Sequence, residues 1–79
     1  MNLRLLEKAG KIRDLALQPV YRLHVRGIKI GSYRADFKFF DLGTGKWRVW
    51  DVKGYRTQLY IWKKKHVEAE HGIVVEEIK

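Results

Sequence analysis

A chain of 79 residues makes one domain, and a domain of that size buries only about 60% of the surface its unfolded chain exposes, so its core is modest. Seventeen Lys and Arg against nine Asp and Glu give a net charge of +8, which favours polyanionic partners. There is no cysteine, which excludes disulfides and thiolate–zinc sites. No apolar run is long enough to span a membrane, and no leader-like segment is read at the N-terminus. A cytoplasmic protein, of a cell or of a virus replicating in a host cell, is expected.

Asn2 to Ala9 reads as a short helix, capped by Asn2, apolar at Leu3, Leu5 and Leu6, and stopped by Gly10. Lys8, Lys11 and Arg13 follow as a basic, solvated cluster. Leu15 to Gln18 leads into Pro19, which pushes its predecessor out of helical space. Val20 to Val25 alternates as a half-buried strand, with His24 on its exposed side and Gly27 in the turn beyond. The next strand runs from Gly31 or Ser32 to Phe40. Asp41-Leu42-Gly43-Thr44-Gly45 turns the chain into Trp47-Arg48-Val49-Trp50-Asp51-Val52-Lys53, again aromatic and β-branched.

Gly54 then permits a turn, and Thr57 caps a helix to about Glu70 with Leu59, Trp62, His66 and Ala69 expected inward. His66 and His71 are five apart, off the spacing that would join two zinc ligands on one helix. Ile73 to Ile78 closes the chain as a strand suited to a sheet edge or a subunit contact, and a twofold homodimer is the simplest assembly. The expected architecture is α/β, a small mixed β-sheet with flanking helices in the order α-β-β-β-α-β.

The central hairpin carries the chemistry. With Leu42 to Gly45 as its loop, Asp41 pairs with Lys46, and the same register sets Asp36 opposite Asp51. Opposed residues share a face with Cβ atoms roughly 5 Å apart, and like charges so placed are destabilising unless something resolves them. Lys53 shares that face, and a divalent cation is a better partner still. Mg²⁺ takes one or two protein carboxylates and completes its shell with waters and phosphate oxygens. The alternative is a surface hairpin of mixed charge. Tyr33, Ala35, Phe37 and Phe39, with Arg48, Trp50 and Val52, are expected on the core side. Arg34 and Lys38 flank Asp36 on the other side and are placed to steer a phosphate.

Asp36, then fourteen residues, then Asp51-Val52-Lys53 resembles the D…(D/E)-x-K signature of the PD-(D/E)XK nuclease superfamily. Leu5-Leu6-Glu7-Lys8-Ala9-Gly10-Lys11-Ile12, Leu17-Gln18-Pro19, Tyr33-Arg34-Ala35-Asp36-Phe37 and Asp51-Val52-Lys53-Gly54 resemble, in order, small phage-encoded proteins assigned as endonucleases within it. That resemblance implies a restriction-endonuclease-like core and a metal-dependent DNA endonuclease. It implies Asp36, Asp51 and the Val52 carbonyl on Mg²⁺ or Mn²⁺, with Lys53 acting on the attacking water. Arg34, Lys38, Arg56, Lys63, Lys64 and Lys65 are the residues expected on a nucleic-acid backbone, DNA first and RNA not excluded. Such relatives also carry an earlier helix whose glutamate helps hold the metal. Met1 falls after that region and Glu7 aligns with the later helical segment, so the fold and active-site strands are expected while the completeness of the catalytic shell stays open. The rival reading is a truncated nuclease fold that binds nucleic acid or protein without cutting. A small RNA-binding domain is a second rival, without a stacking motif such as that of an RRM.

Overall fold

The computed structural model describes residues 2–53 and 55–79. The turn expected at Gly54 lies outside the described residues. In chain order the elements are α1 (Leu3–Lys8), β1 (Ile12–Leu17), β2 (Val20–Val25), β3 (Ile28–Arg34), β4 (Phe37–Asp41), β5 (Lys46–Val52), α2 (Gln58–His71) and β6 (Val75–Ile78). The mixed α/β sheet with flanking helices stands, but five strands rather than three precede α2.

Two local features account for the extra strands. β1 pairs antiparallel with β4, Ile12 to Asp41 and Leu17 to Phe37, through an irregularity between Arg13 and Ala16. Asp14 sits there at φ 55°, which breaks the alternation by which a strand is recognised in sequence. The long second strand expected from Gly31 to Phe40 is divided at Ala35–Asp36. The Ala35 N–H donates to the Pro19 carbonyl, the Gln18 N–H to the Asp36 carbonyl, and the Asp36 N–H to the Trp50 carbonyl. These bonds carry the chain from one sheet to another.

The main sheet has the order β1-β4-β5-β6, and β2 and β3 form a separate hairpin. Arg26 (φ 51°) and Gly27 (φ 78°) turn that hairpin, the positive pair that a tight two-residue turn needs to match strand twist. β4 and β5 hold the expected register, Asp41 against Lys46 and Phe37 against Trp50. α2 crosses over to make β6 parallel to β5. The Asn2 side chain caps α1 through the N–H groups of Arg4 and Leu5, and Thr57 caps α2 through that of Tyr60. Gly72, at φ 66°, ends α2 in the left-handed conformation.

Both faces of the main sheet are covered. On one, Val49 and Val75 pack with Tyr33 and Leu23 of the hairpin and with Tyr60 and Val67 of α2. On the other, Phe39 and Trp50 meet edge to face at 5.0 Å and pack with Leu3 and Ile12. The expected single core face is therefore corrected. Tyr33 and Ala35 belong to the α2 side and Phe39 and Trp50 to the α1 side, because the break at Asp36 resets the alternation. The inward stripe expected on α2 is corrected too. Leu59 and Trp62 are 65% and 70% exposed, while Tyr60 and Val67, seven apart and so two turns on, face the sheet. Among the described residues no helix is long and apolar enough to cross a membrane.

Candidate metal and phosphate site

Asp51 ends the buried run of β5 and is 1% exposed. A buried carboxylate is costly unless donors meet it. The Tyr33 hydroxyl donates to its Oδ2, and the Lys53 ammonium lies 3.4 Å from its Oδ1. Asp36, at the crossing between the two sheets, accepts a 2.7 Å bond from the Val52 N–H through its own Oδ2. The register that ends at Phe37–Trp50 thus leads into the two aspartates, and their carboxyls adjoin. Burial, and then the neighbouring Asp36, push the Asp51 carboxyl above the ordinary carboxylate range, against the pull of Tyr33 and Lys53. In both carboxylates Oδ2 accepts a hydrogen bond, and Asp51 Oδ1 faces the Lys53 ammonium.

Two further groups stand beside Asp51 that the sequence does not suggest. Parallel pairing sets Glu77 of β6 next to it, and Arg56 Nε lies 2.9 Å from Glu77 Oε2. The Tyr60 hydroxyl stands close to both Glu77 and Tyr33, so Glu77 is neutralised by Arg56 and bordered by a phenol. Desolvation raises the Tyr60 phenol, and the Lys53 ammonium lies over its ring at 4.7 Å. Glu77 was hidden because its position depends on a parallel strand pairing across the whole of α2.

The residues fit Mg²⁺ in donor chemistry: hard carboxylate oxygens of two adjoining aspartates. Among the described residues no group of three or more His, Asp or Glu side chains is gathered so as to hold a metal by itself. A cation here would depend on water and phosphate oxygens for most of its shell, the usual habit of Mg²⁺.

The basic residues divide. Arg34, Lys53 and Lys63 line one open cleft of about 410 Å³, with Tyr33, Thr57 and Tyr60. Asp36 opens onto a neighbouring depression with Gln18, Phe37 and Val52. Arg56 is paired with Glu77, and Lys64 lies 3.5 Å from Glu68. Lys65 is exposed beside Trp62 and His66. Lys38 points away from Asp36 to the far end of the sheet, its ammonium 4.9 Å from the Trp47 ring centroid.

All three histidines converge on one helix end. Glu70 accepts from the His24 N–H at 2.5 Å and meets His24 Nδ1 at 2.7 Å and His66 Nε2 at 3.2 Å. His71 Nε2 donates to the Arg22 carbonyl at 2.7 Å. These contacts tie the β2–β3 hairpin to α2. The sequence gives no hint of it, because His24 is 46 residues from Glu70.

The fold and this site define a small mixed α/β domain with adjoining aspartates beside a basic cleft. Residues 1–77 match the model of the family described as protein of unknown function DUF1064, and the chain belongs to that family. No curated protein and no solved structure matches the chain.

Proposed function

We propose that the protein is a Mg²⁺-dependent DNA endonuclease of the PD-(D/E)XK type. The observation that carries this reading is the adjoining pair of Asp36 and the buried Asp51, with the Lys53 ammonium 3.4 Å from Asp51 and itself lining a cleft with Arg34 and Lys63. Asp36 and Asp51 would hold Mg²⁺ or Mn²⁺, with the Val52 carbonyl as a neutral ligand. Such an ion, when bound, polarises a phosphate oxygen and makes water nucleophilic at neutral pH.

The rest of the work falls to the chain. Arg34 and Lys63 attract the phosphate into the cleft. Lys53 orients the attacking water and offsets charge that builds on the phosphate oxygens. Water adds to phosphorus, the bond to one sugar oxygen breaks, and that oxygen takes a proton as the water gives one up. Tyr33 fixes the Asp51 carboxylate by holding Oδ2. A cytoplasmic site of action, in the host cell if the chain is viral, goes with this reading, as does a twofold dimer that would offer one site to each strand of a duplex.

A second reading is favoured by one observation. Asp51 is 1% exposed and already held by Tyr33 and Lys53, as a structural carboxylate would be. A nucleic-acid- or protein-binding module would need no more. Cleavage assays with Mg²⁺ and Mn²⁺ on duplex, branched and single-stranded DNA, with RNA alongside, separate the two. The nuclease reading expects cutting by the wild type and none by Asp36→Asn/Asp51→Asn. Intact substrate under every ion and every nucleic-acid form gives the case to the binding module.

A further inference from the structure

At the end of the sheet away from Asp51, an open crevice of about 660 Å³ runs between the sheet face and the last turn of α2. Lys38, Lys46 and Trp47 form its sheet side, His71 its helix side, and Tyr21 lines it from the hairpin. Trp47 is 52% exposed, and Phe40, directly opposite it across β4 and β5, meets it edge to face at 5.3 Å. Cations lie over both rings: Lys38 over Trp47 at 4.9 Å, and the Arg13 guanidinium over Phe40 at 4.4 Å. Tyr21, packed edge to face on His71 at 5.2 Å, lines the same crevice, and its hydroxyl is buried without a hydrogen-bond partner. A half-exposed ring, cations able to release it and an unsatisfied hydroxyl are what an unpaired nucleotide requires: a stacking surface, phosphate partners and a group for the base edge.

We propose that this crevice binds an unpaired nucleotide of a nucleic-acid strand, its base stacked on Trp47. The base takes the place over the ring now held by the Lys38 ammonium, which moves with Lys46 onto the phosphate. The Tyr21 side chain shifts on binding, so that its buried hydroxyl meets the base edge. Trp47 stands four residues before Asp51 on β5, about 13 Å along the strand, so a nucleotide bound here lies within a short stretch of strand from the aspartates. Binding at the crevice does not depend on whether those aspartates cut.

Intrinsic fluorescence tests the idea in the presence of a chelator, so that no cleavage intervenes. Trp50 is 7% exposed, and Trp62→Phe removes the other exposed indole, which leaves Trp47 to report. Short oligodeoxythymidylate or oligouridylate should quench that emission, and the ratio of the two affinities says which sugar is preferred. Trp47→Ala should weaken single-strand binding by about tenfold or more, with duplex affinity little changed, and Trp47→Phe should restore most of it. Tyr21→Phe should lower single-strand affinity without altering the melting temperature, a readout that stands even if Trp47→Ala fails to fold. Absence of quenching by both oligonucleotides overturns the proposal, as does an equal loss of single-strand and duplex binding in Trp47→Ala.

Discussion

Two carboxylate pairs lie at opposite ends of β5 and are treated in opposite ways. Near the hairpin loop, Arg48 stands between Asp41 and Glu76, with Nη1 3.0 Å from Asp41 and Nη2 and Nε at 2.5 and 2.8 Å from Glu76. Its bonds hold both carboxyls below their ordinary range, and Glu76 in turn raises the guanidinium. Three residues on, Asp51 shares its surroundings with Asp36 and Glu77, the phenols of Tyr33 and Tyr60, and Lys53, and burial raises it. The first arrangement is a closed network, complete without any ligand. In the second, Arg56 answers Glu77 and Lys53 alone answers Asp36 and Asp51, an imbalance that a cation would relieve. One strand thus separates a structural ion network from a site suited to a ligand.

The contrast is broken most severely at Lys53. Phosphate affinity is spread over many cations on a chain of charge +8, so Lys53→Ala should lower DNA binding in Ca²⁺ by only one contact among several. Its place beside Asp51 is specific, and loss of such a transition-state contact typically costs about a hundredfold or more in rate. Single-turnover cleavage and binding measured on one preparation separate these effects. Equal cutting by wild type and Lys53→Ala would make the lysine structural.

A smaller effect sharpens the comparison from both sides. Arg48→Met leaves Asp41 and Glu76 without their shared partner and should lower the melting temperature by several degrees. Asp36→Asn/Asp51→Asn should do the reverse in the absence of metal, holding or raising the melting temperature as repulsion is removed. That variant should also lose the upward shift that Mg²⁺ or Mn²⁺ gives the wild type by mass action. Thermal melts with and without the ions read both results. A metal shift that survives the double substitution places the ion elsewhere.

How much of this was legible in sequence follows from which contacts are local. The β4–β5 register was readable because a five-residue turn between aromatic runs fixes it, and with it the approach of Asp36 to Asp51. Both helix caps were readable for the same reason. β1 was not, since the left-handed Asp14 interrupts its alternation. The inward face of α2 was misjudged because Trp62 and Leu59 are apolar yet exposed, and the helix presents no strong apolar stripe. The Arg48 network, Glu77 and the Glu70 cluster depend on β6 or on the hairpin docking against α2, contacts between residues far apart in sequence.

That docking supplies the smallest expected effect, and it is a pH effect. The His24 N–H, then the His24 ring and the His66 ring, hold the Glu70 carboxyl at about 2 against an ordinary 4.5. A carboxyl depressed on folding favours the folded state when ionised. Its contribution is therefore complete above about pH 4.5 and lost as pH falls toward 2. His71 Nε2 also lies 3.6 Å from Glu70 Oε2, and Lys29 of β3 is paired across the hairpin with His24. Glu70→Gln keeps the shape and removes the charge. Amide exchange in β2 and β3 should quicken in that variant near neutral pH and approach the wild-type rate under acid, while β4 and β5 exchange unchanged. Equal protection of the hairpin in both proteins at neutral pH would mean that Tyr21, Leu23 and Tyr33 hold it by packing alone.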